Sequence, residues 1–397
     1  MKILLKTFSF LLIAGVMAGC SKINNENGGG SNWKPNLGDY DPVPLSDFAD
    51  DFYKWCLNKF DTNRDGILQY VEIKNVENLR IHYNGATNVL RSLEGIKYFT
   101  SLKSLNDDMG ITMEALDLSY NEFLESFSGG VRLKYLNIGE KNNLKILRID
   151  GPLTSLDVTK CPKLAQLSLS DVSFATLDLS KNVDLNNLNI DKASFLKTLD
   201  LSKNVNLSSL FIRNASSLKT LDLSKNVNLS SLYISNASSL KTLDLSKNVN
   251  LIELDCSYCQ LAILNLNKNV NLKRLVCAGT GPATLDLSKN VNLTELHCSF
   301  SPLTTLDLSK NVNLTRLYCN GSQLTTLDLS KNAGLTLVNA RDMPNLTSVD
   351  LSNNKFQFQS RSFDFYGCSN LEVIYVWKGW TEQYHWIYPD NVQIIEK

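Results

Sequence analysis

Nine times between Leu177 and Asn354 the chain repeats the hexad Leu-Asp-Leu-Ser-Lys-Asn or a near copy, at intervals of 21 or 22 residues. The copies begin at Leu177, Leu199, Leu221, Leu243, Leu264, Leu285, Leu306, Leu327 and Val349, with looser versions at Leu116, Leu136 and Leu156. A fixed period of this length predicts a solenoid, because one unit is too short to bury its own leucines and must stack on its neighbours. About twelve rungs are expected. Function then has to be carried by the surface of the stack.

Each unit has two halves, as residues 314–332 show: Leu-Thr-Arg-Leu-Tyr-Cys-Asn-Gly-Ser-Gln-Leu, then Thr-Thr-Leu-Asp-Leu-Ser-Lys-Asn. The first half fits the strand pattern LxxLxLxxNxL, with Leu314, Leu317, Cys319 and Leu324 at its apolar places. On these residues the chain resembles the leucine-rich-repeat proteins, and the internalin-like short-period type among them. The resemblance covers roughly residues 93–355. It implies an α/β-type solenoid, a horseshoe or arc with parallel strands on the concave face and turns or 3₁₀ segments on the convex face. It departs at the ninth place of the pattern, where asparagine gives way to Ser322, Ser301, Thr280, Cys259, Ala237, Ala215 and Ala193. Fewer side-chain amides are therefore expected to satisfy the turn carbonyls. Placing the concave strand in the hexad instead is the rival register.

The amino terminus carries Lys2 and Lys6, an apolar run from Phe8 to Val16, and the tetrad Met17-Ala18-Gly19-Cys20. Basic, apolar and small-residue regions in that order make a secretory signal. Its end resembles a bacterial lipoprotein signal, which implies cleavage before Cys20 and acylation of that thiol; an ordinary signal with a coincidental cysteine is the alternative. The expected organisation is a signal over 1–19, a flexible tether rich in Asn, Gly and Ser over 20–43, a helical cap module over 44–82, the solenoid over 83–355 and an aromatic C-terminal cap over 356–397. Loss of Lys2 and Lys6 leaves 38 of the 40 basic side chains against 40 acidic ones. Such a balance argues against nucleic acid as a partner.

Nine cysteines in an exported chain would ordinarily suggest disulfides. However, Cys256, Cys277, Cys298 and Cys319 recur every 21 residues at one apolar place, which predicts a column of small buried hydrophobes. Neighbours in such a column stand about 4.8 Å apart along a ladder. A line of thiols also cannot present the tetrahedron that zinc requires.

One segment has the spacing of a metal site. Asp61-Thr62-Asn63-Arg64-Asp65-Gly66-Ile67-Leu68-Gln69-Tyr70-Val71-Glu72 matches the EF-hand loop D-x-[DN]-x-[DN]-G-x₅-E at every defined position. In that pattern Asp61, Asn63 and Asp65 aim oxygens at one point, Gly66 allows the bend, Ile67 offers its carbonyl, Gln69 acts directly or through water, and Glu72 closes bidentately on Ca²⁺. Ser46 is expected to cap a preceding helix whose Phe48, Phe52, Trp55, Cys56 and Phe60 recur at helical spacing. A single such loop suits a structural calcium site bracing the cap.

Catalytic signatures are sparse. The three histidines, His82, His297 and His385, lie far apart in sequence, and no HExxH, G-x-S-x-G or phosphate-loop motif occurs. The aspartates of the hexads, such as Asp307 and Asp328, recur in nearly every rung, which suits a repeated turn hydrogen bond. By contrast, the outward places of the first half vary: Phe211, Tyr233, Asp255, Val276, His297 and Tyr318 in one column, with Arg274 and Arg316 in the column before it. Strand alternation puts these on one solvent face. Mixed Tyr, Phe, His and Arg there suit protein recognition, making Phe211, Tyr233, Arg274, His297, Arg316 and Tyr318 the candidate ligand-binding set.

Signal, tether, single EF-hand, solenoid and aromatic cap together resemble leucine-rich-repeat surface lipoproteins of Gram-negative gut bacteria. The resemblance implies a non-enzymatic interaction or adhesion protein of the outer membrane, displayed at the cell surface or facing the periplasm, with a host or bacterial surface protein as partner. A glycan-binding accessory lipoprotein and a structural envelope spacer are the alternatives.

Overall fold

The structure, a computed structural model, describes residues 33–82, 90–108, 110–354, 362–380 and 386–397. The signal, Cys20, Phe356, Phe358, Tyr384 and His385 lie outside the described residues. The chain is a parallel-strand β-solenoid of about 13 turns with a small helical part near its amino terminus. It divides into two compact units, residues 1–164 and 165–397.

The first unit holds helix α1 (Asp50–Phe60) and the short helix α2 (Tyr70–Ile73). Phe52 and Cys56 on α1 are fully buried, with Phe52 and Phe60 6.0 and 5.7 Å from the ring of Phe99. Ser46 does not cap α1. It sits in a separate 3₁₀ turn, Leu45–Asp47, and α1 begins four residues later. The cause is Phe48, whose ring lies where a side chain on Gly95 would be, so the backbone extends there to seat it. Four strands follow in parallel, in-register pairing: Asn78–Ile81, Ser104–Asp107, Ser126–Gly129 and Ile146–Asp150.

In the second unit the variable half of each repeat forms the long parallel sheet, from Gln166–Ser170 to Trp386–Ile387. The hexads make only short pairings, such as Thr176–Leu177 with Thr198–Leu199 and Thr326–Asp328 with Ser348–Asp350. Register is one repeat per rung, so Leu188, Leu210, Leu232, Leu254, Leu275, Leu296 and Leu317 pile into one fully buried column. Each such leucine contributes roughly 1.5–3 kcal/mol of burial. Two places on, Ile190, Ile212 and Ile234 fill the core of the 22-residue rungs, and Cys256, Cys277, Cys298 and Cys319 that of the 21-residue rungs. All four of these cysteines are unpaired and buried.

The expected shortage of turn amides does not arise, because the hexads supply them. Asn204, Asn226, Asn248, Asn269, Asn290, Asn311 and Asn332 have no exposed surface. Each donates from its amide to two carbonyls of the rung before, as Asn226 does to Leu201 O at 3.1 Å and Asn204 O at 2.8 Å. The variable half adds its own donors: Cys259 Sγ to Ile234 O and Thr280 Oγ1 to Cys256 O. The hexad aspartates accept the backbone N–H two residues on, Asp200 from Ser202 and Asp307 from Ser309 at 2.9 Å. These bonds hold the carboxyls below the usual aspartate range, and their carboxylates close turns, as their recurrence in the sequence implies.

Candidate calcium loop and recognition face

From the end of α1 into α2 the chain folds residues 61–72 around their own carboxylates. Asp61 takes the N–H groups of Arg64 (2.7 Å) and Gly66 (2.9 Å) on its two oxygens. Asp65 takes that of Ile67 at 2.8 Å, and Glu72 those of Thr62 and Gln69 at 2.8 and 3.0 Å. Gly66, at φ 80°, and Arg64, at φ 60°, supply the left-handed bends this wrapping needs. Asn63 Nδ2 and Gln69 Nε2 both donate to Asp65 Oδ2, at 2.9 and 2.7 Å. The structure thus brings Asn63, Asp65 and Gln69 together, with Glu72 beside Gln69 and Asp61 bonded only to loop backbone.

The donor set is all hard oxygen in type and order: three carboxylates, two amide oxygens and the Ile67 carbonyl, which is the chemistry calcium selects. In the present arrangement no three His, Cys, Asp or Glu side chains among the described residues stand close enough to hold a metal. Both amide NH₂ groups point at the Asp65 carboxylate. Seating an ion requires both amides to turn their oxygens inward, a rotation about soft terminal torsions.

The loop is also bonded to an irregular segment ahead of it, residues 39–43, through an isolated antiparallel bridge. Val43 N–H donates to Leu68 O (3.0 Å), Tyr70 N–H to Asp41 O (3.0 Å) and Val71 N–H to Asp39 O (2.7 Å), with Pro42 bridged antiparallel to Gln69. Leu68 and Val43 are buried by the contact. The described part of the tether, residues 33–43, is therefore not free: Lys74 ion-pairs with Asp39, and Trp33 packs edge-on to Tyr98 and Tyr120 at 5.8 and 5.1 Å. Alternating Pro42-Val43-Pro44 was the available signal, since prolines favour an extended edge segment.

On the long sheet of the second unit, four of the six candidate recognition residues form two stacked pairs: Phe211 and Tyr233 at 4.6 Å with planes 7° apart, and His297 and Tyr318 at 4.0 Å. The other two, Arg274 and Arg316, belong to the adjacent column, a line of alternating charge, Glu253, Arg274, Glu295 and Arg316, in direct register, whose last two members share strands with His297 and Tyr318. Glu295 is its hub, meeting Arg274 Nε at 3.1 Å, Arg316 Nη1 at 3.3 Å and His297 Nε2 at 2.6 Å. Partial burial pushes the Glu295 carboxyl up, but the bonds from His297 and Arg274 outweigh it and hold the group below its ordinary value. Tyr233 bonds to Glu253, and burial, then that carboxylate, raise its phenol to about 12. Both glutamates were visible as column members but not as organisers, because their role depends on which rungs flank them.

No family model and no curated relative matches the chain. Among solved structures, the functional domain of InlJ from Listeria monocytogenes, described as including a cysteine ladder, is similar at 25% identity and a TM-score of 0.64. That match covers 83% of this chain and 66% of the Listeria chain, so this chain spans just under two thirds of it. An internalin, inlF, from Listeria monocytogenes str. 4b F2365 is similar at 17% identity and a TM-score of 0.56, covering 86% of this chain and 98% of that one. The parallel-strand solenoid of this chain is thus a leucine-rich-repeat fold whose solved neighbours are of the internalin type.

Proposed function

We propose that this chain is an exported, lipid-anchored protein of the bacterial outer membrane that binds a protein partner on the long-sheet face of residues 165–397, with residues 61–72 as a structural calcium site. The carrying observation is the line from Tyr233 through Glu253, Arg274, Glu295 and Arg316 to Tyr318. Aromatic and guanidinium groups there are held in place by ion pairs, so little side-chain entropy remains to be lost on binding. Leucine-rich-repeat solenoids are generally protein-interaction modules, which supports the reading. Anchorage rests on Cys20 and the signal before it; no helix of the described residues is long and apolar enough to cross a membrane. The role is binding rather than catalysis.

The test is capture from host-cell and bacterial surface extracts with the soluble chain starting at Ser21, alongside Arg316→Ala and Tyr318→Ala. A partner retained by the parent chain and lost by both variants is expected. A partner retained equally by all three would place recognition on another face.

A further inference from the structure

Each long-sheet strand of the second unit before the last leaves the sheet through a residue of left-handed conformation, one per rung. In the middle of the unit they are Asn214, Asn236, Tyr258, Gly279, Phe300 and Gly321, with φ of 56°, 57°, 55°, 62°, 54° and 67°. Glycine and asparagine are the residues this conformation favours. A bulky side chain there strains the backbone and costs stability. Tyr258 and Phe300 bear that cost although 51% and 60% of their surface is exposed, so the core does not demand them.

Their placement is regular. A Cβ on Gly279 would stand 2.6 Å from Cδ1 of Tyr258, and one on Gly321 2.6 Å from Cδ1 of Phe300. Each ring therefore lies over the glycine of the next rung, with one side against backbone and the remainder in solvent. The ladder continues through these turns: Tyr258 N–H to Ala278 O, Gly279 N–H to Ser299 O and Phe300 N–H to Asn320 O are each 2.8 Å. Two ladder steps separate the rings, roughly 9.6 Å, and Gly279, on the rung between them, contributes no ring of its own and is covered by that of Tyr258. The neighbouring column, Ser257, Ala278, Ser299 and Asn320, is uncharged; its two serines are buried and bonded to Asp255 and Asn320, which leaves Asn320 as its polar side chain at the surface.

We propose that Tyr258 and Phe300 form a binding platform for a neutral, linear polysaccharide of β-linked pyranoses. A pyranose has an apolar C–H face that stacks on an aromatic ring and a rim of hydroxyls that stays in water or meets the amide of Asn320. In a β-1,4-linked chain with a two-fold twist, the same face returns with every second sugar, a repeat comparable to two rungs. Charge on the adjacent column would be expected for an anionic polymer, and it has none. A proline-rich helix would need a groove between adjacent aromatic rings, whereas here the rings stand two rungs apart and the Tyr258 ring fills the rung between them. The site lies on the turns that border the sheet and does not depend on the sheet-face reading above.

The experiment is titration calorimetry of the full soluble chain with cellohexaose, xylohexaose, mannohexaose and, separately, a proline-rich decapeptide, with melting temperatures measured in parallel. At least one hexasaccharide should bind. Tyr258→Gly and Phe300→Gly should each weaken it tenfold or more while melting at or above the parent temperature, since glycine relieves the left-handed strain. Three results would overturn the assignment: no hexasaccharide bound at millimolar concentration, binding of the peptide alone, or unchanged affinity in both variants. Loss of binding together with a lowered melting temperature would mark the rings as packing groups and overturn it as well.

Discussion

At the scale of single residues, the asparagine ladder explains one outlier and predicts its remedy. In the first unit the ladder place after Asn121 is taken by Lys141, which has no exposed surface and donates from Nζ to Ser119 O at 3.1 Å. Burial lowers its pKa from 10.5 to about 8. At this group the unfolded chain therefore binds more protons between about pH 8 and 10.5, so its contribution to stability should rise with pH across that window, while the buried thiols, with pKa values raised, act in the opposite direction. Lys141→Asn should gain on the order of 1–3 kcal/mol near neutrality and progressively less towards pH 10, measured by urea unfolding of both chains at pH 7 and pH 10. An equal gain at both pH values would contradict it.

The cysteine column carries a second prediction at this scale. Burial raises the thiol of Cys319 to about 12 and those of Cys256, Cys277 and Cys298 well above their usual range. Since the thiolate is the reactive form, maleimide labelling of all four should be slow until the chain is denatured, and rapid native labelling would break the register. This column was legible because its period equals the repeat. The ladder was not, since both halves of the unit contain a leucine pattern and only the stacked rungs reveal which half directs its amides inward.

At the scale of elements, the 61–72 loop was legible because its donors are contiguous in sequence. Its bonded partner, residues 39–43, was hidden because their Asp, Gly and Pro content reads as linker. If calcium binds only the folded loop, a tenfold excess over Kd should add about 1.4 kcal/mol to stability. Calorimetry should detect one site at millimolar or lower calcium, and Glu72→Gln should weaken it by removing a charged ligand. Val43→Pro deletes the N–H that reaches Leu68 O and should destabilise the loop by roughly 1 kcal/mol. Absence of any heat of binding would remove the metal and leave the loop a hydrogen-bonded turn.

At the scale of the whole molecule, the two halves of the repeat divide the surface into a uniform side and a varied one. Once a partner is captured, Tyr318→Ala or Arg316→Ala should cost 1 kcal/mol or more if either is an anchor, whereas Lys310→Ala and Lys331→Ala on the uniform side should cost little; surface plasmon resonance would rank them. Cys20→Ala should release the chain from membranes and abolish acyl labelling. Solenoid class and strand placement could be read from the period and from the alternation of Leu317, Tyr318 and Cys319. The hub at Glu295 could not, because it needs three neighbouring rungs at once.

Asn226 bonds to Leu201 O and Asn204 O, and Asn204 to Leu179 O and Asn182 O. Excision of the 22 residues from Leu199 to Thr220 would deliver Asn226 onto the carbonyls that Asn204 now occupies, with every core column rejoined. The chain can thus be lengthened or shortened by whole turns, roughly 4.8 Å at a time, without a new joint being devised. Reach becomes a countable, inheritable quantity, and unequal exchange between near-identical repeats is enough to change it.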